Sequence, residues 1–140
     1  LIYEYILAAP KVPSKTVTSK SDVTAIFDLI NDSFYIPTFA ETRPYLSSKS
    51  LELLNQTPLF VKEMDEEGAN SNSTLAKTPT EKDIKVYKGG QYASFSYKMK
   101  DGRTGKVETY KMIFIKETGS WKLDYIQVLK IGVDEVLKQK

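Results

Sequence analysis

The amino-acid sequence predicts an α+β domain whose N-terminal helices pack on a strongly curved, four-stranded antiparallel sheet. In the first half of the chain, apolar residues recur every three or four positions, as on one side of a helix. In the second half they recur at every second position, as on one face of a strand. Short glycine-containing turns separate the predicted strands, and such turns force neighbouring strands to run antiparallel. Helices followed by strands in this order are typical of an α+β fold.

The composition of the 140-residue chain excludes several classes of function. A hydrophobic fraction of 41% argues against disorder, and no apolar run reaches the ~20 residues of a membrane span. The chain has neither Cys nor His, which excludes thiolate metal centres and catalysis that depends on either residue. The sequence therefore predicts no metal ion or other cofactor. A net charge of only +2 argues against nucleic-acid binding.

Residues 1–20 are predicted to be a lead segment and linker ahead of a single domain over residues 21–140. Pro10 and Pro13 prevent a continuous helix there. The chain begins with Leu1 rather than Met, so we interpret it as a processed product or an excised fragment, and whether a secretory signal or anchor preceded it stays open. A chain without cysteine fits an exported protein of the bacterial envelope, although it also fits the cytosol. We expect an extracytoplasmic location.

Helices are predicted over residues 21–35 and, with a break near Pro44, over about residues 38–56. The Ser-x-x-Asp sequence from Ser19 to Asp22 has the form of a capping box at the start of the first helix. One apolar stripe follows, formed by Val23, Ile26, Phe27, Ile30 and Phe34. Pro58 is predicted to end the second helical stretch. Residues 65–82 hold few large apolar side chains, which favours a flexible loop.

Four strands are predicted over residues 83–87, 92–100, 106–116 and 121–130. Their alternation assigns one apolar face to the sheet, which the helices would cover. The members of that face are Ala93, Phe95, Tyr97, Met99, Tyr110, Met112, Phe114, Trp121, Leu123, Tyr125 and Leu129. Trp121 starts the final strand after a glycine turn, and we expect it to pack in the core.

Two motifs and the order of the elements resemble a known family. Residues 44–54 read Pro-Tyr-Leu-Ser-Ser-Lys-Ser-Leu-Glu-Leu-Leu, and residues 119–126 read Gly-Ser-Trp-Lys-Leu-Asp-Tyr-Ile. Together with the capped helix, they resemble the nuclear transport factor two-like superfamily, also called cystatin-like or ketosteroid-isomerase-like, and in particular its small exported bacterial domains of unknown function. The resemblance covers roughly residues 20–130. It implies a bent sheet wrapped around the first helix, with a conical cavity between them, and it implies no substrate.

The leading functional hypothesis is a non-catalytic interaction or accessory domain of the bacterial cell envelope. It would act through the second face of the sheet and bind another protein or a second copy of the chain. The candidate residues of that face are Tyr92, Ile113, Ile126 and Val128, of which one or more would be exposed. Lysines on the predicted hairpins would give this half of the domain a locally basic surface.

Two alternatives use the predicted cone. The first is the binding of a small apolar ligand among Phe27, Ile30, Tyr97, Tyr110 and Phe114. The second is an isomerase- or cyclase-type enzyme, in which the carboxylate of Asp124 takes a proton beside Tyr97, Tyr110 or Tyr125. Alternation places Asp124 on the face opposite Trp121 and Leu123, so we expect it to face solvent or to pair with a lysine. We therefore rank catalysis last, with no catalytic residue assigned.

Overall fold

The structure is a computed structural model that describes residues 15–17, 19–36, 38–69, 73–87 and 89–124. Within these ranges the chain forms four α-helices and one open antiparallel sheet of six strands. The α+β class and the antiparallel pairing predicted from the sequence are confirmed. The predicted number of four strands is wrong, because two short strands join the sheet.

The helices lie in the first half of the described chain. They are α1 (Lys20–Ser33), α2 (Phe39–Thr42), α3 (Ser48–Gln56) and α4 (Pro58–Ala69), with short 3-10 turns at Arg43–Tyr45 and Glu81–Asp83. Ser19 is the N-cap of α1, as predicted, but its hydroxyl donates to the Asp22 carboxylate rather than accepting from the backbone. Among the described helices, none has both the length and the apolar character needed to cross a bilayer.

The proline at the end of α3 also begins α4. The hydroxyl of Ser47 accepts a hydrogen bond from the Ser50 N–H and caps α3, which ends at Gln56, close to the predicted end. Pro58 then starts a new helix, because a residue without an N–H is tolerated in the first helical turn. α4 continues to Ala69, into the segment predicted as a loop, since its Lys, Glu and Met residues favour helix. Of the predicted loop, residues 65–69, 73–75 and 81–82 belong to α4, a strand and a 3-10 turn, and its flexibility stays a prediction.

The strands are β1 (Thr16–Val17), β2 (Ser73–Leu75), β3 (Ile84–Tyr87), β4 (Tyr92–Asp101), β5 (Val107–Glu117) and β6 (Ser120–Leu123). Their order in the sheet is β1-β3-β4-β5-β6, and β2 pairs with the C-terminal end of β4. β3, β4 and β5 match three predicted strands to within one residue at each end. β6 begins one residue before the fourth predicted strand, and residues 125–130 of that prediction lie outside the described residues.

The core lies between α1 and one face of the sheet. Ala93, Phe114 and Leu123 form a cross-strand row on this face, and Phe95 pairs with Met112 beside them. The helices supply buried apolar side chains from the opposite side, namely Ile26, Ile30 and Leu54. The alternation predicted from the sequence is therefore confirmed for this face.

The second face of the sheet is buried where the sequence predicted exposed residues. Tyr92 is 9% exposed and Ile113 is 2% exposed, and Ser94 between them is also buried. The prediction of exposure is wrong for these two residues, because alternation assigns a residue to a face but does not say whether that face is covered. Ile126 and Val128, the other two residues assigned to this face, lie outside the described residues.

Candidate functional site

An open apolar groove lies where α1 ends and the sheet continues. Its volume is about 670 Å³. The walls come from the residues just after α1, from all of β2, from the second half of β4 and from the first half of β5. The lining residues are Phe34, Tyr35, Ser73, Thr74, Leu75, Tyr97, Met99, Tyr110, Lys111 and Met112. We call this feature the aromatic groove.

The groove exists because β4 and β5 extend beyond the end of α1, the helix that covers this face of the sheet. α1 ends at Ser33, and Phe34 just after it packs edge-on against Phe95 and Tyr97, with ring centroids 5.8 and 5.0 Å apart. Beyond this contact, β4 continues to Asp101, and β5 begins at Val107. The face of the sheet that is buried in the core under α1 therefore forms, beyond the end of this helix, the floor of an open groove.

Stacked tyrosines form the floor. Tyr97 and Tyr110 pair directly across β4 and β5, and their rings lie 5.8 Å apart at an interplanar angle of 21°. Tyr97 also stacks on Phe95 of the core, at 5.4 Å. The outer side is open, since Tyr110 is 45% exposed and Tyr35 is 67% exposed. The groove thus has a floor fixed to the core and an accessible outer side.

Charged groups gather at the outer end of the groove. The Tyr110 hydroxyl donates a hydrogen bond of 3.4 Å to Oε2 of Glu108, whose Oε1 lies 3.2 Å from Nζ of Lys106. Burial raises the pKa of Tyr110, and the charges of Glu108 and Asp101 raise it further, so the phenol stays protonated. The N–H groups of Arg103 and, more weakly, Thr104 donate to the Asp101 carboxylate and lower its pKa.

The structure brings together two of the five residues predicted to line a cavity. Tyr97 and Tyr110 lie side by side in the aromatic groove. Ile30 and Phe114 are buried in the core, and Phe27 packs against that core. These three residues stabilise the fold beneath α1 and do not line the groove.

Several residues of the groove were not predicted from the sequence. Met99 and Met112 share the alternation of Tyr97 and Tyr110, so that pattern could have identified them. Leu75 could not be found in this way, because β2 lies in a segment whose composition resembles a loop. Its position depends on pairing with Met99, which is distant in the sequence.

Asp124 is separated from the two groove tyrosines. Leu123 pairs with Phe114 on the core face, so the next residue, Asp124, belongs to the opposite face. Asp124 is 4% exposed, and the Ser50 hydroxyl lies 3.5 Å from its Oδ1. Asp124 is therefore not solvent-facing, and the alternative that it pairs with a lysine stays a prediction. Tyr92 lies near it: burial, and then the charge of Asp124, raises the Tyr92 pKa. Tyr125, the third tyrosine considered, lies outside the described residues.

In the part of the chain that the structure describes, no three acidic side chains are grouped so that they could hold a metal ion. Comparison of the chain with protein-family models, with curated proteins and with solved structures finds no significant match. Inferences about function therefore start from the aromatic groove itself.

Proposed function

We propose that this protein is a non-catalytic binding domain that holds a small, predominantly apolar ligand in the aromatic groove. The observation that carries the proposal is an open groove of about 670 Å³ with apolar walls on the described part of the chain. Its size falls within the range of about 300–1,000 Å³ that is usual for small-molecule sites.

The side chains of the groove suit a flat ligand. Tyr97 and Tyr110 offer large aromatic surfaces that lose little conformational entropy on binding. Met99 and Met112 have flexible, polarisable side chains that can adjust to the outline of a bound molecule. The exposed ring of Tyr35 can close over the ligand from the side of α1. A ring system lying on the two stacked tyrosines would bury apolar area on several sides.

Binding is better supported than catalysis. Proton transfer in this groove would need a carboxylate next to a tyrosine and facing the ligand. The carboxylate first considered, Asp124, belongs to the opposite face of the sheet. Glu108 lies near Tyr110 but is half exposed and already paired with Lys106.

The hypothesis of an interaction or accessory domain of the cell envelope stays a prediction. Two of its four residues, Tyr92 and Ile113, are buried and therefore offer little surface to a partner. Membership of the nuclear transport factor two-like superfamily, the cone shape of the sheet and a location outside the cytoplasm also stay predictions.

A neutral fluorescent probe of apolar sites, N-phenylnaphthylamine, tests the proposal. We expect its emission to rise saturably with one site per chain. Tyr110→Ala should weaken binding about tenfold, since loss of an aromatic contact of about 1.4 kcal/mol changes the affinity by that factor. Leu59→Ala is the matched control, because Leu59 is 76% exposed on α4 and does not line the groove.

Circular dichroism and thermal melting of both variants verify that each is folded before binding is compared. Tyr110→Phe keeps the ring and should retain most of the affinity for the neutral probe. The proposal is wrong if the wild-type protein shows no saturable binding. It is equally wrong if Leu59→Ala weakens binding as much as Tyr110→Ala does.

A further inference from the structure

Near the turn between β4 and β5, Asp101 and Glu108 lie on one face of the hairpin together with Lys106, and three exposed lysines lie on the other. Directly paired residues share a face in an antiparallel sheet, and successive residues alternate. Met99 pairs with Glu108, so Glu108 shares the groove face with Tyr97 and Tyr110. Asp101, two residues after Met99, belongs to the same face. The opposite face carries the three exposed lysines of these strands, Lys98, Lys100 and Lys111.

The outer end of the aromatic groove continues into a small polar pocket of about 70 Å³. The two share Ser73, Met99 and Tyr110, and the pocket adds Asp101, Lys106 and Glu108. Two carboxylates and one ammonium group line this pocket, and the charge of Arg103 also acts on Asp101 from the adjoining turn. The backbone N–H of Arg103 donates to Asp101 at 2.8 Å and lowers the pKa of that carboxyl group. Lys111 also borders the groove, but its pairing with Ser96 assigns it to the lysine face.

Aromatic rings next to carboxylates favour a cation. The face of an aromatic ring attracts an ammonium group within about 6 Å, and a nearby carboxylate adds to that attraction. The Tyr110 ring has one side against Tyr97, and its hydroxyl donates to Glu108. A cation placed over the exposed part of Tyr110 would therefore meet both the ring and the carboxylate at the end of the groove.

We infer that the ligand of the aromatic groove is an organic cation, with a flat apolar body on Tyr97 and Tyr110 and a quaternary ammonium or protonated amine at the Asp101 and Glu108 end. This inference rests on the proposed function, because it names the chemical class of the ligand for the same groove. The lysines on the opposite face of the hairpin would repel such a ligand from that surface.

Three probes of nearly equal shape separate the charge of the ligand from its apolar body. Each carries a naphthyl group, joined to trimethylammonium, to its neutral tert-butyl analogue, or to a carboxylate. Isothermal titration calorimetry at low ionic strength gives the three affinities. We expect the ammonium probe to bind about fivefold more tightly than the neutral one, consistent with a cation–π contact of about 1 kcal/mol. The carboxylate probe should bind most weakly.

Glu108→Gln should lower the affinity for the ammonium probe about threefold and leave that for the neutral probe unchanged. Asp28→Asn is the control for charge, because Asp28 is exposed on α1 and does not line the groove. The advantage of the cation should also shrink when salt is added, since salt screens exposed charges.

The outcomes separate this inference from the proposed function. If the neutral or the carboxylate probe binds as tightly as the ammonium probe, the inferred cation is wrong and the proposed groove stands. If none of the three binds, both are wrong. If the ammonium probe binds more tightly than the neutral probe by the same factor in Glu108→Gln and in the wild type, the cation does not lie at the Asp101 and Glu108 end of the groove.

Discussion

The indole N–H of Trp121 donates a hydrogen bond of 3.1 Å to Oδ1 of Asp22, joining β6 to the first turn of α1. The same oxygen lies 3.0 Å from Nζ of Lys116, and the Ser19 hydroxyl donates to Oδ2 at 2.8 Å. Lys116 also lies 5.7 Å from the centre of the Trp121 ring. The Asp22 carboxylate thus accepts hydrogen bonds from Lys116 on β5, from Trp121 on β6 and from Ser19, the N-cap of its own helix. It fixes the start of the helix whose other end forms a wall of the aromatic groove.

Replacing Asp22 should destabilise the protein. Asp22→Ala removes the acceptor of the Trp121 N–H and the partner of the Lys116 ammonium. We expect the free energy of unfolding to fall by about 2 kcal/mol, because a largely buried donor that loses its acceptor costs about 1–3 kcal/mol. Urea denaturation measures this change. Asp28→Ala on the exposed side of α1 should change the same quantity by less than about 0.5 kcal/mol, and equal losses in the two variants would contradict the role of Asp22.

The contribution of Asp22 should depend on pH in the acid range. Burial alone would raise its pKa, but hydrogen bonds from Ser19, Lys116 and Trp121 and the charge of Lys116 outweigh it. The pKa in the folded protein is therefore below the ordinary value of 3.8. A carboxyl group with a lowered pKa contributes stability that is fully present above the unfolded pKa and is lost as pH falls through the folded one.

Unfolding free energies of the wild type and Asp22→Asn at a series of pH values test this dependence. We expect the difference between them to be constant above about pH 5 and to shrink as the pH falls below 3.8. A difference that grows on acidification would show that the carboxylate is destabilising in the folded protein.

Trp121 should contribute both packing and a hydrogen bond. It is 7% exposed and belongs to the apolar core. We expect Trp121→Ala to lower the free energy of unfolding by about 3 kcal/mol or more, as large aromatic truncations in cores do. Trp121→Phe keeps an aromatic ring and removes the N–H, so its cost should be clearly smaller. A melting temperature unchanged in Trp121→Ala would contradict the core assignment.

The turn between β5 and β6 contains a residue whose backbone conformation is unfavourable for its side chain. Thr118 has φ of 47° and Gly119 has φ of 82°, the signs required by a two-residue hairpin turn of type I′. A β-branched residue is strained there, whereas Asn adopts that region readily. Thr118→Asn should raise the free energy of unfolding by about 0.5–1 kcal/mol. Thr118→Val, which keeps the branching, should give no gain, and a gain equal to that of Asn would argue against backbone strain.

The sequence was sufficient to predict the faces of the sheet. Strict alternation placed Ala93, Phe95 and Phe114 on the core side, and their cross-strand pairing agrees. The apolar stripe predicted for α1 agrees with the structure as well, since Ile26 and Ile30 are both buried against the core face of the sheet. In these elements local pattern and tertiary packing require the same arrangement.

The rest of the fold depends on contacts between distant segments. β2 consists of Ser73–Leu75, and only its pairing with β4 makes it a strand. α4 lacks a clear apolar stripe across its acidic residues, so periodicity did not reveal it. For the groove, alternation identified Tyr97 and Tyr110. It could not identify Tyr35, because the point at which α1 stops covering the sheet depends on the relative lengths of helix and strands.

Residue-resolved NMR titration with the neutral naphthylamine probe tests the aromatic groove most directly. If the groove binds the ligand, saturable shift changes should appear at the backbone amides of Tyr35, Leu75, Met99 and Tyr110, while those of α3 stay unchanged. Tyr110→Ala should reduce these changes at equal probe concentration. Shift changes that avoid the groove and cluster elsewhere, or no saturable change at all, would contradict the proposal.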